Sequence, residues 1–573
     1  MPPWETPLAY PEVVVNCKPQ VIVLTLILAL TASSISIGPA VADDANGNGV
    51  CTAAGDQLSP AMVPDGAGGA IVAWHDLRPT VPAGGVCFAQ RVNAAGLPQW
   101  APGGVPLSVT GDSGDPTVPA IASDATGGAY LAFGGTSAQP RAQWVNAAGN
   151  PQWGANGVPV SVASPTMRDL AIARDINGAG GAIVVWRQDN GAGGVSDIYA
   201  QKVNAAGAML WGSIGVPVTM TSMNGETLPV VVSDGVGGAI IAWFNGTGGC
   251  RVQRLNSAGA SLWSNSPLSS LSNNRRPAIV MDGSGGAVVA WAAGSTGIYA
   301  QRVNFNGDKL WPPTNAGVML CTAGNQCAMI ADGAGGATVA WQDFRTNTNY
   351  NIYAQKVNAS GAPMWMPSGV PVCTAQADQL APTIASDGAT GSVITWYDGR
   401  MFATGDDIYA QHLDLTGAST WTPDGLALCA AVDNQQLPTI ATDGALGAFV
   451  SWQDRRSGTN NDIYLQHVNA IGRTLAVPEA PEALQMTRAW PNPFVDRVRL
   501  TFVLPAATTV RLEVFDVRGR AIRAYEPAVL AAGANALTWD GRSSDGHPAG
   551  EGIFFVRASG QGIARAWRVI RVE

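Results

Sequence analysis

The chain repeats itself. A Gly-rich turn opened by Asp or Asn recurs at Asp65, Asp124, Asn177, Asp234, Asp282, Asp332, Asp387 and Asp443, so a unit of about 54 residues runs eight times. A period of this length restricts the chain to solenoids and propellers, in which each unit buries its apolar face against its neighbours. One unit shows the whole pattern: Pro382-Thr-Ile-Ala-Ser-Asp387-Gly, then Gly391-Ser-Val-Ile-Thr-Trp396-Tyr-Asp398-Gly-Arg400, then Asp407-Ile-Tyr-Ala-Gln411, a turn at Gly417, Trp421, and Leu426-Ala-Leu-Cys429.

Each unit holds four short runs rich in β-branched or aromatic residues, A (Pro-Thr-Ile-Ala-Ser), B (Val-Ile-Thr-Trp), C (Ile-Tyr-Ala-Gln) and D (Val-Pro-Val-Cys). Glycine supplies the positive φ of the A–B hairpin, and no run has a helical period. Four antiparallel strands per repeated unit predict a propeller blade. A D-like run, Val50-Cys51-Thr52-Ala53, precedes the first A run, and the eighth unit has no clear D run after Gly472. The N-terminal run is therefore expected to complete the last blade beside Tyr464, which would leave no free sheet edge. From Gly49 to Gly472 the chain resembles β-propellers with a Pro…Ser-Asp-Gly and Asp-Ile-Tyr blade signature. The expected fold is all-β: an eight-bladed propeller of four-stranded blades followed by a C-terminal Ig-like sandwich.

Composition agrees. Gly (69) and Pro (38) are abundant, yet 46% of residues are hydrophobic and Trp reaches 19, which excludes a disordered chain. Only 13% are charged and the net charge is −9, so the basic field of a nucleic-acid binder is missing. Trp74, Trp186, Trp243, Trp291, Trp341, Trp396 and Trp452 close run B, with Phe133 in the eighth case. Trp100, Trp153, Trp211, Trp263, Trp311, Trp365 and Trp421 follow the C–D turn. One large ring at the same slot of every unit reads as packing between units rather than as a carbohydrate platform.

Function is sought where the units differ. The B–C loops are short in repeats two, four and five and long in repeats one, three, six, seven and eight. Ring closure would make repeats six, seven, eight and one a single sector. It carries Trp-x-Asp-x-Arg four times, at Asp76/Arg78, Asp343/Arg345, Asp398/Arg400 and Asp454/Arg456, and its D–A loops add Asp56, Asn325, Asp378 and Asp433. Carboxylates and guanidinium groups on loops of a rigid scaffold suit a glycan or protein ligand. Asp and Arg two residues apart also form local turn-stabilising pairs, and that reading carries more weight. No nucleophile elbow or triad accompanies His75, His412, His467 or His547; the two in the middle are expected on the surface, and no catalytic residue, cofactor or metal is assigned. Asp44 to Gly49 lacks the closing Glu of a calcium loop and is read as a mobile N-terminus.

The N-terminus reads as an export signal. Val21–Leu30 is an apolar run after Lys18, followed by Ala40-Val41-Ala42, so residues 1–42 are a signal peptide with a long leader, cut after Ala42. Export would place the eight Cys in an oxidising compartment. Cys51, Cys321, Cys373 and Cys429 occupy one reused slot, a small apolar filler, so no disulfide framework is expected.

After the propeller region (43–475), residues 476–488 form a Pro-rich linker and the charge changes sign: from Arg488 onward the chain carries +4. There Pro491-Asn492-Pro493-Phe494, Phe515-Asp516-Val-Arg-Gly519, Trp539-Asp540-Gly541 and Gly552-Ile-Phe554-Phe555 follow in order, among alternating short strands. This segment, 489–573, resembles the C-terminal sorting domain of type IX (Por-type) secretion substrates and the related FlgD-like Ig-like domain. The resemblance implies an Ig-like sandwich, recognition by the secretion machinery through these residues, and delivery to the cell surface or medium. The chain ends in Arg565, Arg568, Arg571 and Glu573 where sorting domains commonly carry Lys. The expected role is an exported binding or display protein without catalysis. The alternative is a secreted polysaccharide-active propeller enzyme, a glycosidase or lyase. Membrane association is expected only through the leader or surface attachment.

Overall fold

The computed structural model describes residues 46–110, 118–134, 139–162, 166–176, 180–189, 195–219, 225–246, 249–264, 266–269, 277–294, 297–313, 316–401, 405–472, 474–475, 485–490, 492–504, 508–518, 520–530, 533–560 and 563–572. All its regular elements are β-strands, and none of the described residues forms a helix long and apolar enough to cross a membrane. The signal region and most of the linker lie outside the described residues.

Between Asn48 and Leu475 the strands form eight antiparallel sheets, one per repeat. In the seventh, strand A (Gln379–Ser386), B (Ser392–Asp398), C (Asp407–Leu413) and D (Leu426–Cys429) pair in sequence order. Strand B of this sheet is almost wholly buried because both its faces meet other strands. The A–B turn is locked by its Asp: the Oδ1 of Asp387 accepts from the backbone N–H of Ala389 and Gly391. Asp65, Asp124, Asp234, Asp282, Asp332 and Asp443 do the same. In the third repeat the corresponding hairpin opens at Asp175, whose N–H reaches the Gly181 carbonyl. The expected Asn177 lies outside the described residues.

Each core lies between consecutive sheets. Ile352, Ala354 and Val372 of the sixth repeat pack with Ile384, Ile394 and Trp396 of the seventh. Val393, Ile408 and Trp421 pack with Val450 and Trp452 of the eighth. Strand A of each sheet lies beside strand A of the next, and strand A of the eighth (Gln435–Thr442) lies beside that of the first (Gln57–Pro64). Phe449, Ile463 and Leu465 of the eighth repeat share a core with Met62, Val72 and Trp74 of the first.

The N-terminal strand, Asn48–Cys51, pairs antiparallel with strand C of the eighth repeat, Gly49 opposite Tyr464. Asn46, expected to be mobile, is anchored: its carbonyl accepts from Arg456 at 2.6 Å and its side chain from Ala430 N–H at 3.0 Å. The segment fills the place that Asp424-Gly425 and strand D hold in the seventh repeat, where the Asp424 carbonyl accepts from Arg400 at 2.8 Å. A Cβ on Gly47 would lie 2.4 Å from the Trp452 ring, as one on Gly425 would lie 2.6 Å from Trp396.

The C-terminal strands form two further sheets. One holds Gln485–Trp490, Val498–Leu504 and Gly533–Trp539; the other orders Ala521–Ala524, Thr508–Asp516, Gly552–Gly560 and Ile563–Arg571. Phe494, Val498, Val514, Trp539, Phe554 and Val569 form their shared core.

Candidate functional site

The four Trp-x-Asp-x-Arg motifs build one arrangement four times. Asp398 is fully buried at the end of strand B. Its Oδ2 accepts from the Trp396 indole at 2.8 Å and from Arg400 at 2.6 Å; its Oδ1 accepts from the Arg400 Nε and backbone N–H, each at 2.9 Å. The Arg400 guanidinium lies 3.9 Å over the Tyr409 ring. Asp76/Arg78 on Trp74 and Phe88, Asp343/Arg345 on Trp341 and Tyr353, and Asp454/Arg456 on Trp452 and Tyr464 repeat it. Each Arg then donates to a backbone carbonyl: Gly103, Ser368, Asp424 or Asn46. Burial works to raise the Asp76 and Asp343 carboxyls, but the Arg and Trp hydrogen bonds outweigh it and hold both below the ordinary carboxylate range. Both oxygens of all four carboxylates are thus engaged within the protein, and the pairs clamp their own loops instead of facing solvent.

The cysteine slot belongs to the same clamp. Cys51, Cys373 and Cys429 place Sγ 3.0–3.2 Å from the Arg78, Arg400 and Arg456 guanidinium groups. Each thiol comes from the outer strand of the preceding sheet. Burial pushes Cys373 and Cys429 up to about 12, so they are neutral thiols. The seven described cysteines are free. The D–A loop residues tie sheets together: Asp56 accepts from Asn461 N–H and Asp378 from Tyr350 N–H, each at 2.8 Å. Asn325 accepts from Gln326 N–H, and Asp433 from Asn434 N–H.

The histidines depart from expectation. His467 is buried, stacks on Phe449 and pairs with Asp443 at 2.8 Å; His412 pairs with Asp387 at 3.0 Å. Both fill the strand-C slot from which Arg91, Arg254 and Arg302 reach Asp65, Asp234 and Asp282, so the turn aspartate recruits whatever donor stands there.

The accessible chemistry lies elsewhere. Ala171, Leu228, Val230, Ile279, Cys327 and Met329, from strand A of repeats three to six, line a mostly apolar cavity of about 620 Å³. Ser59, Asp169, Leu228, Gln326, Ala381 and Leu437 hold one strand-A bulge position with φ between +41° and +56°. Of these six residues Asp169, in the third repeat, carries the charge. The Arg187 guanidinium lies 2.9 Å from Asp189 and 3.6 Å from Asp169, and Arg168 lies 3.6 Å from Asp189. These four side chains stay 23–43% exposed. Sequence reasoning missed the cluster. Its signal was Met167-Arg-Asp-Leu170 where the first and seventh repeats read Gln-Leu-x-Pro, and Trp186-Arg-Gln-Asp189 in place of the Trp-x-Asp of repeats one, six, seven and eight.

In the C-terminal module the motif residues converge on one core. Phe494 and Phe554 meet the Trp539 ring edge-on at 5.5 and 4.9 Å. Asn492 accepts from Ile570 N–H at 2.8 Å, so the segment through Pro493 is clipped to the last strand. Asp540 accepts from Arg523 at 2.7 Å, and Gly541 is confined beside Arg571 and Phe494. Gly552 opens the strand that carries Phe554, and Phe555 points outward, 38% exposed. Pro491 lies outside the described residues.

Residues 495–562 match the FlgD Ig-like domain family. No curated protein matches the chain in sequence. Among solved structures the chain is similar to a protein of unknown function from Dyadobacter fermentans, with 11% identity and TM-score 0.31, covering 52% of this chain and 93% of that one. It is similar to PorZ, a surface component of the type IX secretion system of Porphyromonas gingivalis, with 12% identity and TM-score 0.28, covering 91% and 82%. It is also similar to a GH43 endo-arabinanase from Bacillus licheniformis, with 13% identity and TM-score 0.26, covering 43% and 95%. Likeness at this level carries no functional weight.

Proposed function

We propose that the chain is an exported, non-catalytic binding or display protein: an eight-bladed propeller (43–475), a linker (476–488) and an Ig-like sorting module (489–573). The side-by-side A strands and the N-terminal strand paired with the eighth sheet support a closed ring. The FlgD Ig-like match supports the C-terminal module. One observation carries binding over catalysis. The carboxylates of the long-loop sector are buried in clamps, and the charged groups beside the apolar cavity are paired with one another around Arg187. Paired charges beside an apolar wall suit an amphipathic glycan or a peptide, held without bond cleavage.

A glycan and peptide array probed with the purified protein tests this. Binding should weaken in Arg187→Ala and survive Ala changes in the short B–C loops of repeats two, four and five. A polysaccharide-active enzyme would instead release reducing ends and lose that activity in Asp169→Asn, which would replace the binding reading. N-terminal sequencing of the exported protein should begin at Asp43. A chain ending at Glu479 should cross the inner membrane and fail to reach the cell surface. Surface display of the truncated chain would remove the sorting role.

A further inference from the structure

The loops that precede strand C in repeats six, seven and eight do not carry the same residue at the position two before the strand-C acceptor. In the sixth, Asn349 donates its Nδ2 to Asn351 Oδ1 at 3.1 Å and to the Ala377 carbonyl of the next D–A loop at 2.6 Å. In the eighth, Asn460 donates likewise to Asp462 Oδ1 at 2.8 Å and to the Gly55 carbonyl at 3.1 Å. The amide bridges a strand-C acceptor to a loop carbonyl. In the seventh repeat the acceptor is Asp407, the carbonyl is that of Asp433, and the amide position is Gly405.

Glycine cannot supply that amide, and no larger residue fits. Gly405 sits at φ +104°, and a Cβ there would lie 2.7 Å from Asn434 Oδ1 and 3.0 Å from the Asp433 carbonyl oxygen. Asp407 is fully buried, and neither carboxylate oxygen has a hydrogen-bond partner among the described residues. Gln435, also fully buried, donates its backbone N–H to the carbonyl of the adjoining Asp406 at 2.7 Å and its Nε2 to the Asp433 carbonyl at 2.8 Å, and leaves Oε1 unpartnered. The corresponding Oε1 atoms of Gln57 and Gln379 are unpartnered too, so the difference lies in the carboxylate and the glycine. A buried, unpaired carboxylate is costly until it takes up a proton or meets a positive group.

We propose that the seventh repeat binds one hard divalent cation, of the calcium class, at the position where the neighbouring repeats place an asparagine amide. Asp407 would supply the carboxylate, Asp433 its carbonyl and Gln435 its Oε1, an all-oxygen set of the kind calcium takes, with water completing the shell. Arg400 does not compete for the role, because its guanidinium is held by Asp398 and the Asp424 carbonyl. The cation would join strand C of the seventh sheet to the D–A loop leading into the eighth, the connection that Asn349 and Asn460 make in their own repeats.

Calorimetric titration of the purified full-length chain with calcium chloride tests this, after treatment with a chelator. One saturable site is expected, with a Kd on the order of 10⁻⁴–10⁻³ M, the range of extracellular modules. Asp407→Asn should weaken it by about tenfold or more, since removing a charged ligand lowers affinity most. Asp462→Asn, at the position where Asn460 already fills the bridge, should bind calcium as the parent does. Gln435→Glu should tighten binding, which reads the site independently should Asp407→Asn fail to fold. Absence of saturable binding, parental affinity in Asp407→Asn, or unchanged affinity in Gln435→Glu would each overturn the assignment.

Discussion

The indole Nε1 of Trp311 lies 2.9 Å from the carbonyl oxygen of Ala359, in the corresponding turn of the next repeat. The same bond runs from Trp100 to Ala147, Trp153 to Ala205, Trp211 to Ser257, Trp263 to Phe305, Trp365 to Leu415 and Trp421 to Ala470. Each ring also lies against the glycine of the turn it reaches, as Trp311 does on Gly361. The second tryptophan series is therefore a set of staples between repeats. Trp311→Phe keeps the apolar contact and loses the bond, at a cost of about 1 kcal/mol. Trp311→Ala leaves a cavity and should cost about 3–5 kcal/mol. Urea unfolding followed by the remaining tryptophans would check both, and equal midpoints for the two variants would contradict the staple.

The Asp398–Arg400 clamp gives a sharper test. Asp398→Ala strands a guanidinium and an indole N–H, at a cost of about 3–5 kcal/mol. Removing both charges, as Asp398→Ala with Arg400→Met, should restore part of that loss, because no orphan charge remains. A double-mutant cycle in urea measures the coupling. Additive losses would mean that the pair is not a clamp.

These two features show how far the sequence could be read. Repeat length, strand order and the turn aspartates were visible because each recurs with fixed chemistry: Asp387 needs only Ala389 and Gly391 to form its turn. The pairing of Asn48–Cys51 with the eighth sheet was also legible, since one unit lacked a D run and one D run lacked a unit. The role of Asp398 was legible only in part. From Trp-x-Asp-x-Arg the local Asp–Arg pair was the weightier reading, but the sequence did not show that the Trp396 indole also binds the carboxylate and completes the clamp. Asp169 and Arg187 escaped notice for the opposite reason. They occur in one repeat only, and their approach depends on a strand bulge that residue types do not announce.

The N-terminal strand should hold the eighth sheet to the first. Deleting residues 46–51 removes the Asn46 carbonyl from Arg456 and Val50 and Cys51 from the shared core, and it exposes the strand-C edge. A marked fall in melting temperature with concentration-dependent aggregation is expected in calorimetry and light scattering. Gly47→Val should act in the same direction, since its Cβ would fall on the Trp452 ring. Unchanged melting in both variants would show that closure does not depend on this strand.

Asp462 makes stability depend on pH. Burial, with the Asp454 charge adding to it against the Asn460 hydrogen bond, pushes its carboxyl from 3.8 up to about 6. The folded chain therefore holds a proton that the unfolded chain releases between about pH 4 and 6. Because the folded state binds more protons there, stability falls as pH rises through that window and stays lowered above it. A shift of about two units corresponds to roughly 3 kcal/mol at most. Asp462→Asn removes the titration and keeps the acceptor for Asn460, as Asn351 does for Asn349 in the sixth repeat. The variant should match the parent below about pH 4 and exceed it by about 1–3 kcal/mol at pH 8. Urea midpoints of both proteins across this range measure the difference directly. A variant less stable than the parent at pH 8 would mean that the Asp462 carboxylate is stabilised in the fold.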